Sequence, residues 1–159
     1  MSMEWSEFVG RLRWERPRAW SMRTDLYLGE EAVATLSPPR RFGTEAVARS
    51  GEEVFILTKG GIRRPQLKIR SASSREALAV LDYVAAGRGE ITFRSDGKFV
   101  LERSLDGTWS MRSVDRGLVF SIRREPGEIT RSVVDVDIKE RSLLPLLLLA
   151  QFAIQSSEC

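Results

Sequence analysis

The residues in this chain best suited to chemistry are cations. Lys59, Arg63, Arg64, Lys68 and Arg70 lie in one short stretch. Lys68 and Arg70 are two positions apart, so in a strand they project from one outward face, about 7 Å from each other. At that spacing arginine offers a bidentate fork and lysine a point charge, which together would grip a phosphorylated headgroup. Charged residues also suit the water-facing side of any strand, and that reading stands beside the first. Arg40 and Arg41, after Pro38-Pro39, could add cations from a loop.

Other spacings carry less. Asp135 and Asp137 share one strand face, but calcium takes six to eight oxygens and two carboxylates do not supply them. Ser95-Asp96-Gly97-Lys98 has the Ser-x-x-Lys spacing of some acyl-enzymes, yet that chemistry starts on a helix and this segment straddles a turn. Gly87-Arg88-Gly89 lacks the third glycine of a dinucleotide fingerprint. Trp5, Trp14, Trp20 and Trp109 are expected to pack in the core rather than stack on a ligand.

Composition narrows the chemistry further. The chain has 159 residues, no histidine, one cysteine and a formal net charge of +3. Without imidazole there is no Ser-His-Asp or Cys-His nucleophile system and no histidine metal site. A lone cysteine, Cys159, makes neither an intrachain disulfide nor a structural zinc site. The start of the sequence has no basic-then-apolar signal pattern. The expected address is cytoplasmic, with peripheral contact at a membrane surface as one option. No catalytic residue, metal or cofactor is expected, and no nucleic-acid partner.

The elements that must position these residues are mostly strands. Polar and apolar residues alternate with the two-residue period of half-buried strands. Leu118, Phe120 and Ile122 are expected on one face against Ser121 and Arg123. Similar series run through Leu67–Ile69, Ile91–Phe93, Phe99–Leu101, Trp109–Met111 and Val134–Ile138. Earlier candidates are Leu12–Trp14, Trp20–Tyr27, Ala32–Leu36 and Val54–Thr58. Asp96-Gly97, Asp106-Gly107 and Asp115-Arg116-Gly117 mark hairpin turns between them. Residues 73–87 are ambiguous. Ser73 with Glu76 suggests a capping box and a helix, whereas Ala77–Tyr83 also suits a strand.

The terminal run from Leu143 to Ile154 is apolar on every face and must be enclosed. It spans about 18 Å as a helix, short of a bilayer's requirement. A membrane span is therefore not expected. Ser142 is the expected N-cap, Pro145 falls in the first turn, and Gln151 should need a polar partner inside. Strands of about 25 Å would sheathe such a helix, and a barrel of eleven or twelve strands is wide enough to hold it. The fold expected is all-β with one central helix: a single domain over 1–159, a closed antiparallel barrel of about 12 strands around a buried C-terminal helix at 142–155.

The order of segments resembles a known family. A tryptophan-rich start (Trp14, Pro17, Trp20), an Ala34-Thr35-Leu36 strand and the hairpin from Gly87 to Glu102 come in turn. A tryptophan strand, a Gly-Leu-Val strand and a terminal leucine helix follow. This order is similar to the tubby-like superfamily, particularly small prokaryotic members akin to LURP-one-related and phospholipid-scramblase-like proteins. The resemblance covers about Leu12 to Ile154. It implies a twelve-stranded barrel around the helix, and a strand at Ala77–Tyr83. Some members bind phosphoinositides or act at membranes. The function expected is a non-enzymatic binding module that recognises anionic phospholipid or another phosphorylated ligand through Lys59, Arg63, Arg64, Lys68 and Arg70. The alternative is a protein-interaction scaffold with no small-molecule ligand.

Overall fold

The computed structural model describes residues 3–17, 23–39, 44–61, 63–95, 97–128 and 130–157. Trp20, Arg40, Arg41, Asp96 and Cys159 lie outside the described residues. Twelve strands form one closed antiparallel barrel: β1 (Gly10–Glu15), β2 (Thr24–Leu28), β3 (Glu31–Ser37), β4 (Glu45–Ser50), β5 (Glu53–Gly60), β6 (Gln66–Ser71), β7 (Ala79–Ala85), β8 (Arg88–Phe93), β9 (Lys98–Arg103), β10 (Trp109–Ser113), β11 (Gly117–Arg124) and β12 (Arg131–Val136). Each strand pairs with its neighbours in sequence. The ring closes where β1 meets β12, with Gly10 opposite Val136 and Glu15 opposite Arg131. Closure leaves no sheet edge to pair with another chain.

The alternation sorts side chains by face. Leu12, Leu57, Leu67, Ile69, Leu81, Ile91, Leu101 and Met111 are fully buried inside, while Arg11, Lys68, Asp82, Glu102 and Arg112 face water. The terminal run forms α1 (Leu143–Ser157), whose leucines from Leu146 to Leu149 are entirely enclosed. Fifteen residues rise about 22 Å, and the longest strands, of eight residues, run about 26 Å. The helix is buried from Leu143 to Ile154 apart from half-buried Pro145, and Gln155 and Ser156 are half-buried at its end. Burying each leucine contributes about 1.5–3 kcal/mol. α1 starts at one end of the barrel, the head end, where Ser142 and Pro145 adjoin Leu78 and Phe93, and finishes at the other, the tail end, beside Trp14 and Thr24.

Four local expectations need correction or refinement. Leu118 does not share the inward face of Phe120. A bulge opposite Met111/Arg112 pairs Leu118 with exposed Arg112 and turns Val119 inward. β4 was not among the expected strands, because its inward residues, Ala46 and Ala48, are weak hydrophobic signals. The serines at 71–74 make turns instead of a helix cap: Ser71 Oγ accepts from the Ser73 amide, Ser74 Oγ accepts from the Glu76 amide, and the strand begins at Ala79. At the start of α1 Ser142 takes the expected N-cap position, its carbonyl accepting from the Leu146 amide at 3.1 Å; the buried carboxylate of Glu140 accepts the Ser142 amide at 2.7 Å, and Pro145 sits in the first turn as expected.

Candidate functional site

The five cations singled out from sequence fall in three different settings. Lys68 and Arg70 do project from the outer face of β6. Arg70 is engaged there: its guanidinium donates to the Ser74 carbonyl at 3.0 Å and pairs with Glu45 at 3.7 Å. It fastens the serine turn to the barrel wall. Lys59 has the inward parity of Phe55 and Leu57 and stands at the tail-end rim. Arg63 and Arg64 occupy the exposed tail-end loop between β5 and β6. That loop is shaped by Gly61, at φ +104°, where a side chain would collide with the Arg64 carbonyl.

Asp135 is an outward strand residue, paired with Arg11 at 2.8 Å and with Arg123 at 3.9 Å. Among the described residues, no group of three acidic or cysteine side chains could hold a metal. Trp14 and Trp109 are core residues. Trp5 is half-buried and donates to Ser50 Oγ at 3.2 Å.

One concavity lies at the tail end, between the β9–β10 and β11–β12 turns. It is a cavity of about 590 Å³, within the size range of small-molecule sites. Arg103, Arg123 and Arg124 are among its lining residues, with Trp109, Ile122 and Ile154 as apolar wall, and the Arg123 guanidinium pairs with Asp135 on the outer face. Asp106 is its acidic lining residue. Its carboxylate accepts from Ser104 Oγ and from the Thr108 amide at 2.9 Å, and these bonds hold its pKa below the usual carboxylate value. Asp106 is thus occupied in shaping its own hairpin.

None of these arginines was expected as a site residue. The signal was in the strand parity. Phe99 and Leu101 lead to Arg103, and Phe120 and Ile122 lead to Arg124: each is a cation closing an inward series. Beyond the apolar layer such a side chain reaches water at the rim.

A smaller recess of about 30 Å³ adjoins the cavity and shares Arg124, Ser132 and Ile154 with it. Trp14, Thr24, Gln151 and Gln155 complete much of its wall, and Gln155 Nε2 donates to Thr24 Oγ1 at 2.6 Å.

These features define a closed barrel with an internal helix and an arginine-lined mouth. Comparison with protein-family models, with curated proteins and with solved structures finds no match to this chain. Among the described residues no helix is long and apolar enough to cross a membrane.

Proposed function

We propose that this protein is a non-catalytic binding module for a phosphorylated or similarly anionic ligand, received in the arginine-lined cavity at the tail end of the barrel. The observation that carries this reading is the placing of Arg103 and Arg124, the cations that close two inward series, on one cavity beside the apolar surface of Trp109, Ile122 and Ile154. Guanidinium groups bind phosphate or carboxylate through paired, charge-assisted hydrogen bonds. Apolar wall beside them suits the organic part of the same ligand. Lys59, Arg63 and Arg64 stand at the same end of the barrel and would raise the local concentration of anions.

The kinship with tubby-like proteins is part of the same reading, supported by the helix-filled barrel. The ligand's source is either a soluble phosphate ester or the headgroup of an anionic lipid, and both offer the same chemistry. Calorimetry with a phosphate monoester and co-sedimentation with acidic and neutral vesicles separate them. Arg103→Ala and Arg124→Ala should each weaken binding by about tenfold, the scale of one hydrogen bond to a charged group. Vesicle binding that survives both changes and is lost in Lys68→Ala would move the site to the outer face of β6. No binding of either probe would overturn the proposal.

A further inference from the structure

The link between β12 and α1 is fastened to the barrel by side chains rather than by strand pairing. Its last backbone bond to a strand runs from the Asp137 amide to the Val119 carbonyl, at 2.8 Å. Among the described residues, no backbone hydrogen bond joins residues 138–142 to a strand. Glu140 is the buried member of the link, 4% exposed. Its Oε1 pairs with the Arg116 guanidinium, and its Oε2 accepts from the Ser142 amide at 2.7 Å. Arg116 comes from the β10–β11 turn, where its own amide donates to the buried Ser113 Oγ at 3.2 Å. Its Nη1 also donates to the Lys139 carbonyl, at 3.1 Å. One side chain thus holds two successive residues of the link. Parting such a pair is costly, because it leaves a buried charge uncompensated. Ile138 adds partial packing on the core. Lys139 reaches Glu7 at 3.0 Å on the exposed surface, where ion pairs contribute little.

Two head-end cavities flank this link. One, of about 240 Å³, has Ser113, Arg116 and Glu140 in its lining. The other, of about 360 Å³, has Leu78, Phe93 and Pro145. Arg141 and Ser142 line both, so the link stands between them. Leu143 and Leu144 follow directly and are buried. The first bonds of the helix end on the link as well: the Leu143 amide donates to the Glu140 carbonyl and the Leu146 amide to the Ser142 carbonyl, each at 3.1 Å. We propose that residues 138–142 are a latched strap across the head mouth of the barrel, with the Arg116–Glu140 pair as its latch. When the pair parts, the strap lifts and the first turn of α1 loosens. The two cavities then join into one cleft that reaches Leu143 and Leu144. The strands and the rest of α1 stay folded, because their pairing and burial do not pass through the strap. The strap lies at the opposite end of the barrel from the arginine-lined cavity and does not rest on the anion-binding reading.

Amide hydrogen exchange followed by NMR tests this. The Leu143 and Leu146 amides bond to strap carbonyls and report its lifting, while those of Ile69, Leu101 and Ala153 report the wall and the tail end of the helix. In the wild-type protein Leu143 and Leu146 should be the less protected, at rates that hardly change in low concentrations of urea. The other three should exchange by global unfolding and speed up steeply with urea. If all five follow one urea dependence, the strap does not open separately and the proposal is overturned; this series needs no variant. In Glu140→Gln, which keeps an acceptor for the Ser142 amide, and in Arg116→Gln, exchange at Leu143 and Leu146 should quicken about tenfold. The double variant should be no faster than either single one, because the two side chains act as a pair. Lys139→Ala should leave both amides at their wild-type rates. Unchanged rates at Leu143 and Leu146 in the glutamine variants would overturn the latch, and so would an equal gain in Lys139→Ala.

Discussion

At the residue scale, four inward series end on a cation at the same end of the barrel: Leu12–Trp14–Arg16, Phe55–Leu57–Lys59, Phe99–Leu101–Arg103 and Phe120–Ile122–Arg124. The last turn of α1 carries no basic residue of its own. Its carbonyl end presents partial negative charge, so rim cations are electrostatically well placed there even without a ligand. Single residues in the core are less forgiving. A Cβ at Gly89 would stand 2.8 Å from Leu81 Cδ2, and Leu81 is fully buried. Gly89→Ala should therefore cost about 1–3 kcal/mol in a denaturant titration. Tyr83 is half-buried, and burial raises its pKa above the ordinary phenol value. The neutral form is favoured in the folded state, so this contribution is complete below the unfolded pKa and is lost as pH rises through the folded one. Stability should fall at strongly alkaline pH, and less so in Tyr83→Phe. Asp106 has the opposite sign. Its lowered pKa gives stability that is present above the unfolded carboxylate pKa and disappears as acid takes pH through the folded one. Asp106→Asn should blunt the acid limb of the unfolding profile.

At the element scale, α1 poses a problem of rotational setting. A helix apolar on every side gains nearly the same burial whichever face it presents to a given strand. Polar groups near its tail end break that degeneracy. Gln155 is bonded to Thr24 of β2, and the Tyr83 hydroxyl of β7 makes a long 3.5 Å bond to the Ala153 carbonyl. Thr24→Val removes the first of these with little change in volume. It should broaden the side-chain NMR signals of α1 more than it lowers the unfolding midpoint. Leu148→Ala tests packing instead: it should lose about 2–5 kcal/mol, as enclosed leucines do. The strands were legible where bulky residues alternate, as in β6, β8 and β9. β4 was not, because alanines give little hydrophobic contrast. The segment at 73–87 was ambiguous for a different reason. Its serines can cap a helix or form turns, and only the pairing of Leu81 with Leu67 and Ile91 decides between them.

At the scale of the whole molecule, the barrel and the helix are a single cooperative unit. The inward residues of twelve strands and the leucines, alanines, Phe152 and Ile154 of α1 share one core. Removal of Leu143–Cys159 would leave a barrel lined with apolar side chains around nothing, so the truncated chain should show no cooperative thermal transition by circular dichroism. The two ends differ modestly in charge. Head-end turns carry Glu30-Glu31 and Glu52-Glu53 together with Arg94, Lys98 and Arg116, and the tail end carries Lys59, Arg63, Arg64, Arg103 and Arg124 against Asp106, Glu125 and Glu128. An anionic surface or ligand should therefore approach tail-first, with affinity that falls as salt is raised from 50 to 300 mM, because screening shortens the reach of exposed charges.

Local pattern alone determined a good deal here. The alternation of apolar residues, the Asp-Gly turns and the all-apolar run at Leu143–Ile154 specify strands, their reversals and a helix that has to be wrapped. Those are consequences of side-chain period and burial, which neighbouring residues settle among themselves. The cation stretch at 59–70 was equally visible, but its members part company in space, and Arg70 is drawn into a turn. The cavity was decided only by the tertiary structure. Arg103, Arg123 and Arg124 come from strands β9 and β11, and the recess beside them joins Trp14 to Gln151. The curvature of a closed sheet brings such distant positions together, and no stretch of contiguous sequence encodes that curvature.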